Sequence, residues 1–375
     1  MIQNETISKM LAERIEAGDF PSAVYLVAER GHVRFADALG DAVREPARHA
    51  ATLETIYDLA SLTKPLVTGT LLALLVERGR VGLDSPVADY LPQFGAVDKR
   101  GINVRHLLTH TSGLPAWEPL YIVADEPGQV LDRLASRPLE QPPGARVVYS
   151  DLGFITLGLL AQTVTGSKLD ELARREIFEP LGLTRTFFNP EQSLQTEVAA
   201  CESGGNAYER GMCEGSSDAV EARATRWREQ TVWGEVHDGN AYFLGGAAGH
   251  AGLFSNARET LRLASQFLPS TTTLFKPETC RLFRTNMTEG LNEARSFAWQ
   301  LAATPESTAG PRLPPEAFGH LGFTGTSCWI DPDAERVLVL LTNRTHARPL
   351  PFVNINSVRR RFHTLAVEAL EKHEG

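Results

Sequence analysis

The chain has 375 residues, 42% of them hydrophobic and 22% charged, with 31 glycines and 22 prolines. That profile fits a folded protein of roughly two domain-sized units and excludes collagen-like, coiled-coil and mainly disordered chains. With 46 acidic against 37 basic residues the net charge is −9, which argues against nucleic acid as a partner, because such a function needs a basic face.

The first five residues carry no positive leader, and Glu13, Glu16 and Asp19 interrupt the apolar pattern behind them, so no export signal is expected. Ile7, Leu11 and Ile15 stand four apart and predict one helical stripe. Ala23 to Val27, an Arg30-Gly31 turn and Val33 to Phe35 read as a β-hairpin. From Leu66 to about Leu183 helical periodicity dominates, punctuated by Pro86, Pro92, Pro115 and Pro142-Pro143-Gly144. Leu71 to Val76 is the densest apolar run, well short of the roughly 20 residues of a membrane span, so none is expected. Residues 197–238 turn polar, with Gly204-Gly205 and Ser216-Ser217, and read as a solvated excursion. Cys328 to Ile330 and Val337 to Leu341 are strand-like around the Asp331-Pro332-Asp333 turn. Ile355, Val358, Phe362, Leu365 and Leu370 predict a closing helix.

The expected fold class is therefore α/β (α+β). An antiparallel sheet is built from both chain ends and flanked by terminal helices, with a mostly helical region inserted. Residues 1–65 and 240–375 make the sheet domain and 66–239 the helical one. Cys201, Cys213, Cys280 and Cys328 form no C-x-x-C pair and are expected as reduced thiols of a cytoplasmic protein.

The sharpest chemical feature is Ser61-Leu62-Thr63-Lys64. On a helix, residues three apart share a face, so the Ser61 hydroxyl and the Lys64 amine can meet. A serine is a poor nucleophile until a base takes its proton, and a lysine serves as that base only if its pKa falls. Pro65 clashes with the carbonyl four residues back, so a regular helix is expected to begin near Ser61. The pattern by itself occurs by chance in many proteins. A second feature, Tyr149-Ser150-Asp151, opens the helix-like run Leu152 to Leu160 and places a phenol where it can act as base or relay, or simply pack while Asp151 caps the helix. A third is His320-Leu321-Gly322, ahead of Phe323-Thr324-Gly325-Thr326, where small residues let a substrate approach the backbone.

In this order and spacing, Ser61-x-x-Lys64, Tyr149-x-Asp151 and His320-x-Gly322 resemble the serine β-lactamase and penicillin-binding-protein superfamily. The nearest branch holds class C β-lactamases, D-Ala-D-Ala carboxypeptidases and family VIII carboxylesterases. Tyr57 to Ala60, Leu107 to Leu114, Gly249 to Ser255 and Leu341 to Arg344 agree. The resemblance implies a covalent acyl-enzyme on Ser61, with Lys64 and Tyr149 sharing the proton and no cofactor or metal. It implies an oxyanion hole from the backbone N–H groups of Ser61 and Phe323. Asp151, His320, Gly322 and Asn343 would bind substrate. Two departures stand out: the second motif ends in Asp151 rather than the frequent Asn, and the third begins with His320 rather than the lysine usual in β-lactamases. An unperturbed histidine is mostly neutral at pH 8 and charged nearer pH 6. Neutral esters are therefore expected to be favoured over β-lactams or D-peptides, whose carboxylate loses an anchor. A sensor or binding module that acylates without turnover is the alternative from another class.

His106 and His110, four apart, lack the Glu of a His-Glu-x-x-His zinc site and are not read as ligands. The glycine-rich Gly245 to His250 lacks the ending of a phosphate loop and reads as tight backbone packing near the site. Among the tryptophans, Trp233 is the one expected to wall a pocket.

Overall fold

The computed structural model describes residues 2–213 and 227–373; Ser216-Ser217 of the polar excursion lie outside them. Helix α1 (Glu5–Glu16) starts on the Asn4 side chain, which accepts the Ile7 N–H. Strands β1 (Ser22–Glu29) and β2 (His32–Val43) follow as the predicted hairpin. Their turn holds Arg30 at φ +50° and Gly31 at φ +77°, the paired left-handed conformation whose twist matches a two-residue hairpin. β3 is His49–Ala50 and β4 is Tyr57–Asp58. β5 (Phe187–Phe188) and β6 (Leu253–Ser255) join β4 in a small sheet of order β4-β6-β5. β7 (Gln300–Leu301), β8 (Phe318–Leu321), β9 (Ser327–Asp331) and β10 (Arg336–Thr342) complete a seven-stranded sheet of order β3-β2-β1-β10-β9-β8-β7.

Its neighbouring strands all run antiparallel, and β1 meets β10 from Ala23↔Thr342 to Glu29↔Arg336. The two chain ends thus pair at the middle of the sheet, where β1 and β10 are buried throughout. Side chains alternate across the pleat. Tyr25, Val27, Leu338 and Leu340 pack with Ile7 and Leu11 of α1 and with Phe362 and Leu365 of the closing helix. Val24, Leu26, Val339 and Leu341 face the opposite way, into a core shared with Leu62, Leu66 and Phe154 of the helical region. Each such burial contributes about 1.5–3 kcal/mol against exposure.

The helix carrying Lys64 is not regular. Ala60–Leu62 forms a 3₁₀ turn, Lys64–Gly69 a π turn in which the Thr70 N–H reaches the Pro65 carbonyl, and only Thr70–Glu77 (α2) is α-helical. Pro65 offers no N–H to close an ordinary turn, and the wider one absorbs the misfit. The whole stretch Ala60–Glu77 is long and apolar enough to cross a bilayer, yet 83% of it is buried in the protein, as in a core helix. Helix α3 (Asp151–Thr165) ends on Gly166 at φ +70°, and the closing helix α4 spans Asn356–His373. None of the four cysteines forms a disulfide, and all four are buried.

Candidate active site

Ser61 sits behind a strained residue. Ala60 adopts φ +48°, a conformation costing a non-glycine residue on the order of 1 kcal/mol. Neighbours hold it: the Ala60 N–H donates to Asp58 Oδ1 at 2.8 Å, and Thr63 Oγ1 donates to the Ala60 carbonyl at 2.6 Å. The turn after β8 braces the same segment. Thr324 Oγ1 donates to the Asp58 carbonyl and Thr326 Oγ1 to the Leu59 carbonyl. A Cβ on Gly322 would lie 2.0 Å from Thr326 Oγ1 and 2.5 Å from the Leu59 carbonyl. The small residue here makes room for the strand that precedes the nucleophile as well as facing the cavity.

Lys64 is fully buried, and its Nζ donates to Ser61 Oγ at 2.9 Å and to the His250 carbonyl at 3.0 Å. Asp151 Oδ1 pairs with it at 2.7 Å. Asp151 is free to do so because Ser150, not Asp151, caps α3, its Oγ accepting the Gly153 N–H at 3.1 Å. Burial works against the Lys64 charge, but the Asp151 carboxylate and Tyr149 outweigh it, and the pKa stands above that of an ordinary lysine. The condition under which Lys64 would serve as the base, a lowered pKa, is not met.

The Tyr149 ring lies 4.9 Å from Lys64 Nζ, and its phenol is near enough to Lys64 and Ser61 for both to lower its pKa. Burial raises the phenol pKa and the Lys64 charge offsets only part of that rise, so Tyr149 rests as a phenol and can relay a proton. His110 stacks on Tyr149 at 4.5 Å between ring centroids. Its Nδ1 accepts the Ser150 N–H at 3.0 Å, which makes it a support of the α3 entrance. His106 belongs to the cap of a short helix, its Nδ1 accepting the Asn103 N–H.

His320 is buried and lines the cavity, with Nδ1 2.9 Å from the Leu321 carbonyl, so Nδ1 carries the hydrogen and Nε2 the lone pair. Burial, followed by the nearby Lys64 and Arg295 charges, depresses its pKa well below 6.5. Protonation of His320 near pH 6, expected from an unperturbed ring, is therefore corrected: the ring stays neutral.

A cavity of about 580 Å³ opens over these groups, lined by Ser61, Tyr149, Asp151, His320, Gly322 and Phe323 among others. Asn343 stands apart from that lining. Its Oδ1 accepts from the Ser22 N–H and hydroxyl, and its Nδ2 donates to the Ala42 and Ala200 carbonyls. The expected substrate contact of Asn343 is replaced by a structural role, tying β1 and β2 to the start of the polar excursion. Trp233 also stands apart: its Nε1 donates to the Val198 carbonyl, and Trp117 lines the cavity instead.

Several cavity residues were not signalled by any motif. Arg359, on the first turn of α4, is buried and donates to the Gly322 and Thr326 carbonyls and to Asn356 Oδ1. Burial lowers its pKa to about 9. Among the described residues neither Arg359 nor Arg344 pairs with a carboxylate. Opposite in charge are Asp238 and Glu209. Asp238 accepts from His250 Nε2 at 2.8 Å, and His250 brings the carboxylate below its usual range although burial opposes this. Glu209 accepts from the Tyr121 hydroxyl, and burial, with Asp238 adding, raises it to about 7. Donor atoms of Asp151, Asp238 and His250 lie within 4.8 Å of one another, a spacing compatible with a cation, but the Lys64 ammonium already supplies positive charge there.

The arrangement suits nucleophilic attack by Ser61 on a carbonyl, with proton relay through Tyr149 and backbone N–H groups of Ser61 and Phe323 at the cavity wall. A family model described as Beta-lactamase matches residues 7–358. A putative D-alanyl-D-alanine carboxypeptidase of Escherichia coli (strain K12) is 31% identical over 370 residues, covering 91% of this chain and 82% of that protein. Among solved structures, EstCE1, a hydrolase with promiscuous acyltransferase activity, superposes with a TM-score of 0.73 at 24% identity, covering 96% of this chain and 97% of the other. A class C β-lactamase from Rhodobacter sphaeroides gives 0.72 at 22%, covering 98% and 100%. At those identities the two structures bear on the fold.

Proposed function

The chain belongs to the β-lactamase family and is a serine hydrolase, and from that premise we propose that its substrates are amides bearing a free carboxylate, of the D-Ala-D-Ala type. Ser61 forms the acyl-enzyme, Lys64 and Tyr149 manage its proton, and Phe323 and Ser61 hold the oxyanion. The observation that carries the substrate class is Arg359, a buried guanidinium at the cavity with carbonyl and amide partners but no carboxylate among the described residues. A buried cation without a counter-ion is costly, and a substrate carboxylate supplies one. Arg344 lines the same cavity. The name of the Escherichia coli relative supports the same class. Ester preference, expected from His320 in the lysine position, assumed that no other cation served as anchor. It remains the second reading, favoured by the neutral His320. A cytoplasmic location belongs to the proposal too, and four buried cysteines without a disulfide support it.

The test compares a peptide ending in D-Ala-D-Ala with the same peptide as its C-terminal amide, and with p-nitrophenyl acetate. The free carboxylate should raise kcat/KM over the amide by about 10- to 100-fold, the size of a charge-assisted contact. Equal turnover of acid and amide, with faster turnover of p-nitrophenyl acetate, would favour the ester reading instead.

A further inference from the structure

The charges lining the cavity fall into two groups. Arg295 is offset by Glu293 at 2.6 Å, whereas Arg344 and Arg359 have no carboxylate partner among the described residues. The other group is negative. Asp151 and Asp238 both line the cavity, and the one lysine beside them pairs with Asp151, at 2.7 Å. Asp238 is held by one oxygen only: its Oδ1 accepts from the Ala241 N–H and from His250 Nε2, each at 2.8 Å. Its Oδ2 accepts no hydrogen bond among the described residues, and the side chain is 21% exposed. Glu209 adds charge there, but its oxygens are taken by the Gly239 N–H and the Tyr121 hydroxyl.

The open oxygen suits a nitrogen donor better than a metal. A carboxylate oxygen of Asp151 and one of Asp238 lie within 4.8 Å of each other. Two acceptors bonded by one ammonium at about 2.8 Å each, along tetrahedral directions, stand about 4.6 Å apart. His250, the third group of that cluster, offers no lone pair there. Its Nε2 faces an ionised carboxylate, which only accepts, so Nε2 carries the hydrogen. A metal would have to displace that hydrogen, whereas an ammonium uses Asp238 Oδ2 as it stands. A separate group in the same cavity also lacks a donor: His320 is 4% exposed, and its Nε2 has no hydrogen-bond partner. A buried acceptor left without a donor is costly, and a ligand bearing N–H groups removes that cost.

We propose that Asp238 receives a free amine on the acyl half of the substrate, so that the preferred substrate is a short zwitterion, a dipeptide of D-residues with its amino terminus free. The inference rests on the carboxylate reading above and extends it to the other end of the molecule. In such a dipeptide the amine and the carboxylate flank a single peptide bond, one on each residue, and the cavity repeats that order. Asp151 leads through Lys64 to Ser61, in steps of 2.7 and 2.9 Å. Arg359 donates to the carbonyl of Gly322, the residue before the proposed oxyanion donor Phe323. The nucleophile thus stands between the two charge groups. At pH 7 most α-amines are protonated, so the contact with Asp238 is charge-assisted. An N-acylated or longer peptide carries no ammonium at that position and leaves Asp238 Oδ2 without its partner.

The experiment measures kcat/KM at pH 7 for D-Ala-D-Ala, for its N-acetyl form, and for D-lactoyl-D-alanine, in which a hydroxyl of equal size replaces the amine. In the wild type the free amine should raise kcat/KM at least about tenfold over both analogues, the size of one charge-assisted hydrogen bond, with most of the effect in KM. In Asp238→Asn that advantage should shrink to about threefold or less, through loss on the free dipeptide and not through gain on the analogues. Equal turnover of amine and hydroxyl compounds by the wild type overturns the proposal, as does an advantage that Asp238→Asn leaves intact. Should Asp238→Asn not fold, the wild-type comparison of amine with hydroxyl decides. The carboxylate reading is tested separately by D-Ala-D-Ala against its C-terminal amide. A carboxylate effect without an amine effect overturns this inference alone. Cleavage of p-nitrophenyl acetate with no turnover of any dipeptide overturns both.

Discussion

At residue scale the site is a balance of buried charges. Lys64 is compensated by Asp151, Asp238 by its bond to His250, and Glu209 by Tyr121 and the Gly239 N–H. Histidine at 320 changes the pH response from what its type suggests. Its pKa lies well below 6.5, so it gains no proton between pH 8 and 6 and offers carboxylate ligands no new charge. Glu209, with a pKa raised to about 7, does titrate there. As pH falls through 7 it takes up a proton, the cavity loses a negative charge, and anionic ligands should bind more tightly. We expect the inhibition constant of a carboxylate-bearing ligand to tighten a few-fold from pH 8 to 6, by roughly the worth of one screened charge. That change should persist in His320→Gln and vanish in Glu209→Gln; the opposite pattern would show that His320 titrates.

At the scale of elements, local chemistry was legible and long-range contact was not. The hairpin around Arg30-Gly31, the Asp331-Pro332-Asp333 turn and the stripe from Ile355 to Leu370 rest on periodicity and turn residues, which act over a few positions, and all three form. Ser61, Lys64 and Tyr149 meet because two helix beginnings face each other. Arg359 stayed hidden because a charged residue within an apolar stripe reads as solvent-facing until the sheet it packs on is known. The π turn after Pro65 was equally invisible, since it settles a conflict between the proline and a helix fixed by its neighbours. Gly249 lies between these cases. Tight packing was expected there, and a Cβ on it would stand 2.0 Å from the Phe154 carbonyl, with α3 backbone against it. Neither backbone can yield without moving Lys64's partner, the His250 carbonyl. Gly249→Ala should therefore cost about 1–3 kcal/mol in urea denaturation and slow Ser61 phosphonylation. Wild-type stability with wild-type labelling would show that the contact relaxes freely.

Across the whole molecule, the site forms where the two halves of the fold meet. One apolar cluster runs from Val24 and Leu341 of the sheet to Leu66 and Phe154 of the helical region, and the candidate site residues stand at its rim: Ser61 and Lys64 on one helix, Tyr149 and Asp151 at the mouth of another, His320 and Phe323 from the sheet side. The chain-end pairing of β1 with β10 positions the last two, so Ser61 and Phe323, the two residues of the proposed oxyanion hole, come from segments about 260 residues apart. The central claim is that this assembly makes Ser61 a nucleophile, and intact-protein mass spectrometry after exposure to a fluorophosphonate tests it most directly. The wild type should gain one adduct, mapped by peptide fragmentation to Ser61. Ser61→Ala should gain none while keeping its stability within about 1 kcal/mol, because one hydroxyl contributes little packing. Full labelling of Ser61→Ala, or an adduct mapping to another residue, would contradict the account.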